Sequence, residues 1–217
     1  MFAPPEVLLL EDDLQELSAL EAIVRGLSLE PVTASGPRQA LARLDHHRPL
    51  LAVIDLDMSR APAAERRTGV HDVLRRLHAR HLNCIPLVFS AGVETIDDQA
   101  RVYESHPHAL FQSKRHGLPR LLQRIESLLG GRVGDLALRR GVVEHVPSGR
   151  TINHRVAVTL VAARRANRSV VLRDSDARAA RRFGDWLDEV GSTVLVRALG
   201  GRHYQLAPRE PAPGDGR

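Results

Sequence analysis

Five times in its first 130 residues the chain sets down a short apolar run and follows it with a longer amphipathic stretch. The runs are VLLL (7–10), PVTAS (31–35), LLAVID (50–55), IPLVFS (85–90) and HALFQS (108–113). Between and after them come LQELSALEAIVRGL (14–27), PRQALARLDHH (37–47), VHDVLRRLHARH (70–81), TIDDQARVYESH (95–106) and GLPRLLQRIESLLG (117–130), each with apolar residues at helical spacing. Strands that alternate with helices predict a parallel sheet wrapped by right-handed crossovers. Runs that are apolar throughout predict strands covered on both faces. The expected fold class is therefore α/β for residues 1–130.

The texture changes at Gly130-Gly131, read as a very short joint. GDLALRRGVVEHVPSGRTI (134–152) predicts short antiparallel strands turning at Gly141 and at Ser148-Gly149. HRVAVTLVAARRA (154–166) fits a helix or a strand. SDARAARRFGDWLDEVG (175–191) predicts a helix capped by Ser175, with Ala179, Phe183, Trp186, Leu187 and Val190 on one face. STVLVRALGGRHYQLA (192–207) predicts a hairpin turning at Gly200-Gly201, and residues 208–217 a disordered tail.

Charge divides at the same place. Residues 1–130 hold 15 Lys+Arg against 17 Asp+Glu; residues 131–217 hold 16 against 9. A −2 half joined to a +7 half predicts two domains, the second facing a polyanion. Cys84 is the single cysteine, so no internal disulfide forms, and its apolar neighbours predict a buried thiol. No leader and no apolar stretch of membrane-spanning length is apparent, so the expectation is a cytoplasmic protein without a membrane partner.

Parallel α/β sheets bind ligands beyond the carboxyl ends of their strands. There the sequence places Glu11-Asp12-Asp13, Asp55, Ser90 and Lys114, the last being the only lysine in the chain. Clustered carboxylates suit a hard cation such as Mg²⁺. A carboxylate beside that cation can attack phosphorus and form an aspartyl phosphate, and a compact ammonium can pair with the phosphoryl oxygens.

The stretches VLLLEDD (7–13), AVIDLDM (52–58), IPLVFSA (85–91) and FQSK (111–114), in that order, resemble the receiver domain of bacterial two-component response regulators. The resemblance implies a flavodoxin-like (βα)5 fold with strand order 2-1-3-4-5. It makes Asp55 the phosphoacceptor, Glu11 and Asp12 the acidic pair at Mg²⁺, Asp57 the donor of a backbone carbonyl to the metal, Ser90 the switch hydroxyl, Phe111 the switch aromatic and Lys114 the phosphate-binding cation. It implies a sensor histidine kinase as partner, and a phosphoacceptor rather than an enzyme, with at most autophosphatase activity. The sequence departs from the family at Ser59 and Arg115, where proline is usual, and in the arginine-rich loop 60–69, which is long. Asp55-Leu56-Asp57 also resembles the nucleophile motif of haloacid-dehalogenase-type phosphatases, in which Asp57 would act as acid/base. That family's further acidic pair is missing from 115–134.

Residues 131–207 resemble the OmpR/PhoB type of winged-helix effector through GDLALRR (134–140), Gly149, Thr151-Ile152, VVLRD (170–174), the helix around Phe183–Leu187 and LVRALGGRHYQL (195–206). This implies double-stranded DNA as partner, with helix 175–190 in the major groove, and transcription control by a homodimer on paired half-sites. Arg178, Arg181 and Arg182 would face DNA from the helix, and Arg197 and Arg202 from the hairpin. The sequence leaves little room for a separate second helix, and Asp185, Asp188 and Glu189 share the helix with the arginines. A module that docks RNA polymerase or another protein is the alternative.

Overall fold

A computed structural model describes residues 5–81, 83–91, 96–129, 131–139, 142–165 and 169–209. It divides into two compact units between Ser127 and Leu128.

The first unit alternates strand and helix as the apolar pattern predicts. Its elements are β1 (Glu6–Leu10), α1 (Leu14–Gly26), β2 (Glu30–Ala34), α2 (Pro37–His46), β3 (Leu51–Ile54), α3 (Ala63–Arg66), α4 (Val70–Arg80), β4 (Ile85–Ser90), α5 (Ile96–Ser105), β5 (Leu110–Ser113) and α6 (Gly117–Leu129). The five strands form one parallel sheet in the order β2-β1-β3-β4-β5, the flavodoxin-like arrangement. On one face Leu8, Leu10, Ala52, Ile54 and Val88 pack with Ala40, Leu44, Val73, Leu74, Leu77 and Val102. Side chains alternate along a strand, so Val7, Leu9, Val53, Leu87 and Phe89 point to the other face, and all are buried. Each such side chain contributes about 1.5–3 kcal/mol by leaving water.

The segment 60–69, read as a loop, contains the one-turn helix α3. Pro62 opens it, and Glu65 Oε2 accepts a 3.0 Å bond from Gln39 N in the first turn of α2. The fit is close: a Cβ on Gly36 would come within 2.6 Å of Glu65 Cβ.

The second unit begins with a four-stranded antiparallel meander of β6 (Gly131–Val133), β7 (Leu136–Arg139), β8 (Val142–His145) and β9 (Arg150–Ile152). Gly131, read as part of a joint, is already in a strand. The ambiguous stretch 154–166 is a helix, α7 (Arg155–Arg165). Then come β10 (Val170–Val171), α8 (Asp174–Glu189), β11 (Val194–Gly200) and β12 (His203–Pro208), with the last two pairing as the expected hairpin and β10 adding to β12. The residue that caps α8 is Arg173, not Ser175, and it gives no side-chain cap. Leu172 N is bonded to Arg202 O at the end of β10, so the chain turns directly into the helix. Asp174 and Asp176 then place negative charge in its first turn. The buried face of α8 is Ala179, Ala180, Phe183 and Leu187, with Trp186 stacked on Phe183. The tail expected over 208–217 starts later than read, since Pro208 ends β12 and Arg209 N donates to Thr193 O. The expected features at Thr95, Gly130, Gly141, Ala166 and residues 210–217 lie outside the described residues.

A polar latch ties the β6–β7 turn to the segment after α8. Asp135 accepts from Ser192 Oγ and Thr193 N, each at 2.7 Å, and lies 3.1 Å from His145 Nε2. His145 Nδ1 is 2.7 Å from Ser148 Oγ. Gly134, at φ +58°, lets the turn approach: a Cβ there would meet Val194 Cγ1 at 2.9 Å. Among the described residues, no helix is long and apolar enough to cross a membrane.

Candidate functional site

The acidic triplet after β1 splits into three tasks. Asp13 ends the turn as N-cap of α1, its Oδ1 accepting from Gln15 N and Glu16 N. Glu11 points inward and is 1% exposed. Asp12 is half-buried, and its Oδ2 accepts a 2.6 Å bond from Arg60 N. Asp55 follows β3 at 5% exposure, and its Oδ1 accepts from Asp57 N at 3.1 Å. Carboxylate oxygens of Glu11, Asp12 and Asp55 lie within 4.8 Å of one another. That all-oxygen donor set fits a hard divalent cation such as Mg²⁺.

Lys114 opens a 3₁₀ turn after β5, and Ser113 Oγ accepts from Arg115 N beside it. Its Nζ donates to Asp55 Oδ2 and Glu11 Oε2 at 2.6 Å and to Glu16 Oε2 at 2.8 Å, and stands 5.7 Å from the centroid of the Phe89 ring. The termini of β1, β3 and β5 thus converge on one ammonium. Burial pushes the Glu11 carboxyl up to about 7, with the Lys114 hydrogen bond opposing and the Asp55 charge assisting. Burial works against the Lys114 charge, but its bonds to Asp55, Glu11 and Glu16 outweigh this and raise its pKa.

Ser90 ends β4 at 1% exposure, in register with Ser113. Phe111, on β5, is half-buried, with its ring edge-to-face against Tyr103 of α5 at 5.2 Å. Asp57 is exposed, and its Oδ1 accepts from Ser59 N; its carboxylate is not in the group of three.

Two residues at this site escape the strand-end rule. Glu16 lies in the first turn of α1, its N–H bonded to the capping Asp13, and its carboxylate reaches Lys114 from there. Arg60, beyond β3, pairs its guanidinium with Asp13 while its backbone holds Asp12.

In the second unit Arg178, Arg181 and Arg182 are exposed on α8, and Arg197 and Arg202 on the hairpin. Four acidic side chains of α8 are paired with arginines from other elements. These are Asp176–Arg155 at 2.8 Å, Asp188–Arg209 at 2.5 Å, Glu189–Arg150 at 2.9 Å and Asp174–Arg202 at 3.9 Å. Burial lowers the pKa of His154, and the nearby Arg182 and Arg155 lower it further. Only Leu172 and Arg173 separate β10 from α8, which is the one helix between β10 and β11.

Among solved structures, the fold is similar to CheY-like receiver domains over about 57% of the chain. A CheY-like receiver domain protein from Methanospirillum hungatei is 16% identical, matched over 58% of this chain and 93% of its own, with TM-score 0.49. The receiver domain of a DNA-binding response regulator from Colwellia psychrerythraea is 19% identical over 57% and 97%, with TM-score 0.48. The response regulator TrrA from Thermotoga maritima, in complex with Mg²⁺ and beryllofluoride, is 15% identical over 58% and 99%, with TM-score 0.45. No protein-family profile matches the sequence, and no curated protein matches it.

Proposed function

We propose that the first unit is a receiver that accepts a phosphoryl group on Asp55 from a sensor histidine kinase. The observation that supports this most is the meeting of Asp55, Glu11 and Lys114 within 2.6 Å bonds at the ends of three parallel strands. Glu11, Asp12 and Asp55, with the Asp57 carbonyl, would hold Mg²⁺, which when bound supplies a positive charge for the transferring oxygens. An Asp55 oxygen attacks phosphorus, an O–P bond forms, and the N–P bond to the kinase histidine breaks. The released imidazole takes up a proton from water. Lys114 then passes from the Asp55 carboxylate to the phosphoryl oxygens, and Ser90 and Phe111 adjust to the new charge. The unit is a phosphoacceptor rather than an enzyme, at most hydrolysing its own acyl phosphate.

We assign double-stranded DNA to the second unit, as a winged-helix-like effector controlling transcription, most simply as a homodimer. The support is the +7 charge of residues 131–217. The acids at positions 174, 176, 188 and 189 of α8 pair with arginines of other elements, Arg202 among them, and Arg178, Arg181 and Arg182 are exposed on the same helix as Asp185. The single helix between β10 and β11 favours a second reading, in which the unit docks RNA polymerase or another protein.

Beryllofluoride binding with Mg²⁺ tests the first step. Wild type is expected to bind and Asp55→Asn not to; equal response defeats the reading. Titration with duplex DNA at two salt concentrations tests the second. Binding that weakens steeply with salt is expected from phosphate contacts, and its absence favours protein docking.

A further inference from the structure

We propose that Glu16 is a fixed competitor for Lys114 that weakens the hold of the site on a phosphoryl group at Asp55. The inference rests on the phosphoacceptor reading and adds to it a residue on a helix rather than at a strand end.

An ammonium has three N–H donors and no acceptor. In Lys114 they are directed to three carboxylates, Asp55 Oδ2, Glu11 Oε2 and Glu16 Oε2. The three partners differ in what phosphorylation does to them. Asp55 loses its own charge to the acyl phosphate bond and presents phosphoryl oxygens instead. Glu11 is almost completely buried and stays beside the cation site. Glu16 is held in the first turn of α1, where its N–H is bonded to the capping Asp13, and its side chain is 28% exposed. It is the one of the three outside the group that fits a divalent cation. A cation bound there offsets the charge of Glu11 and leaves that of Glu16 facing the phosphoryl group.

Glu16 therefore acts in two ways. It keeps one of the three donors of Lys114 from the phosphoryl oxygens. It also adds a like charge next to a group carrying about −2. Replacing it with glutamine keeps the size and a hydrogen-bond acceptor but removes the charge. Charge-assisted bonds are worth enough that the affinity for a phosphoryl mimic should rise about tenfold or more.

Because Lys114 is the only lysine, ¹⁵N-lysine labelling of the full chain gives a single side-chain ammonium signal. In metal-free protein, Glu16→Gln is expected to move that signal, because one of the three carboxylates around the ammonium is lost. With Mg²⁺ present, Glu16→Gln is expected to bind beryllofluoride about tenfold tighter than wild type. In a Lys114→Gln background the same change should give a much smaller gain, because the competition runs through the ammonium. Unchanged or weaker binding in Glu16→Gln overturns the proposal while wild type and Asp55→Asn still report the receiver intact. An equal gain with and without Lys114 also overturns it, since that is a general charge effect. If wild type binds no beryllofluoride, or Asp55→Asn binds it equally, the phosphoacceptor reading falls and takes this proposal with it.

Discussion

Lys114 and Asp55, 59 positions apart in the chain, are joined by a 2.6 Å hydrogen bond. Asp55 is almost fully buried, and so is Glu11, which shares the same ammonium. Removing the cation leaves two carboxylates out of water with no counter-charge, which costs about 3 kcal/mol. Lys114→Gln is therefore expected to lower the urea midpoint of the first unit in EDTA. Mg²⁺ held by Glu11, Asp12 and Asp55 would stabilise the folded state, so adding it should restore part of the loss. A midpoint that does not move would mean that the ion pairs add nothing to the fold.

Glu11 links cation binding to pH. Burial holds its carboxyl at about 7, and the charge of Asp55 assists, against the Lys114 bond. Its pKa in the fold is above the unfolded value of 4.5, so ionising it destabilises the folded state. Metal-free stability from this group thus falls as pH rises from 4.5 through about 7. A divalent cation needs the ionised form, so Mg²⁺ affinity should rise about tenfold between roughly pH 6 and 8. Isothermal titration at the two pH values checks this. In Glu11→Gln the remaining affinity should lose that slope, and a slope that persists would assign it to another group.

The strand ends were legible because a parallel sheet gathers them at one edge, so order along the chain gives proximity in space. Asp12, Asp55 and Lys114 needed no further signal. Glu16 had none of that kind: it is one polar position among many on α1, and helical periodicity marks which face is apolar without saying what the polar face meets. The four residues of α3 are too few to show a period. In the second unit, strands of three or four residues give little alternation, so Gly131 read as a joint although it opens β6. Ser175 has the chemistry of a cap, but the bond that ends β10 puts Arg173 in that place.

Asp135 should give the second unit an acid-sensitive joint. Burial opposes its charge, but the bonds from Thr193 N and Ser192 Oγ outweigh this and hold its carboxyl below the usual 3.8. A depressed folded pKa contributes stability that is present above 3.8 and lost as pH falls through the folded value. Asp135→Ala removes the acceptor for both donors and leaves His145 without its partner on Nε2, at a cost of about 2 kcal/mol near neutral pH. Denaturant midpoints from pH 7 down to the acid limb should show the wild-type and Asp135→Ala curves converging at low pH. Parallel curves would show that the latch acts by shape rather than charge.

Gly36 should be intolerant of a side chain for a reason that lies in α3. A Cβ there would come 2.6 Å from Glu65 Cβ and 2.7 Å from both Cγ and Oε2. The overlap includes the root of the Glu65 side chain, so a rotamer change alone does not relieve it and α3 must shift. That shift withdraws Glu65 Oε2 from Gln39 N, leaving a first-turn donor of α2 without its acceptor. Overpacking and the lost bond together predict a loss of about 1–3 kcal/mol for Gly36→Ala. Glu65→Ala alone should cost less, because it only removes the acceptor. In the double variant the overlap with Cγ and Oε2 is gone, so it should be more stable than Gly36→Ala. Thermal unfolding of the three variants decides it: a double variant that loses the sum of the two single losses would place the strain of Gly36→Ala elsewhere.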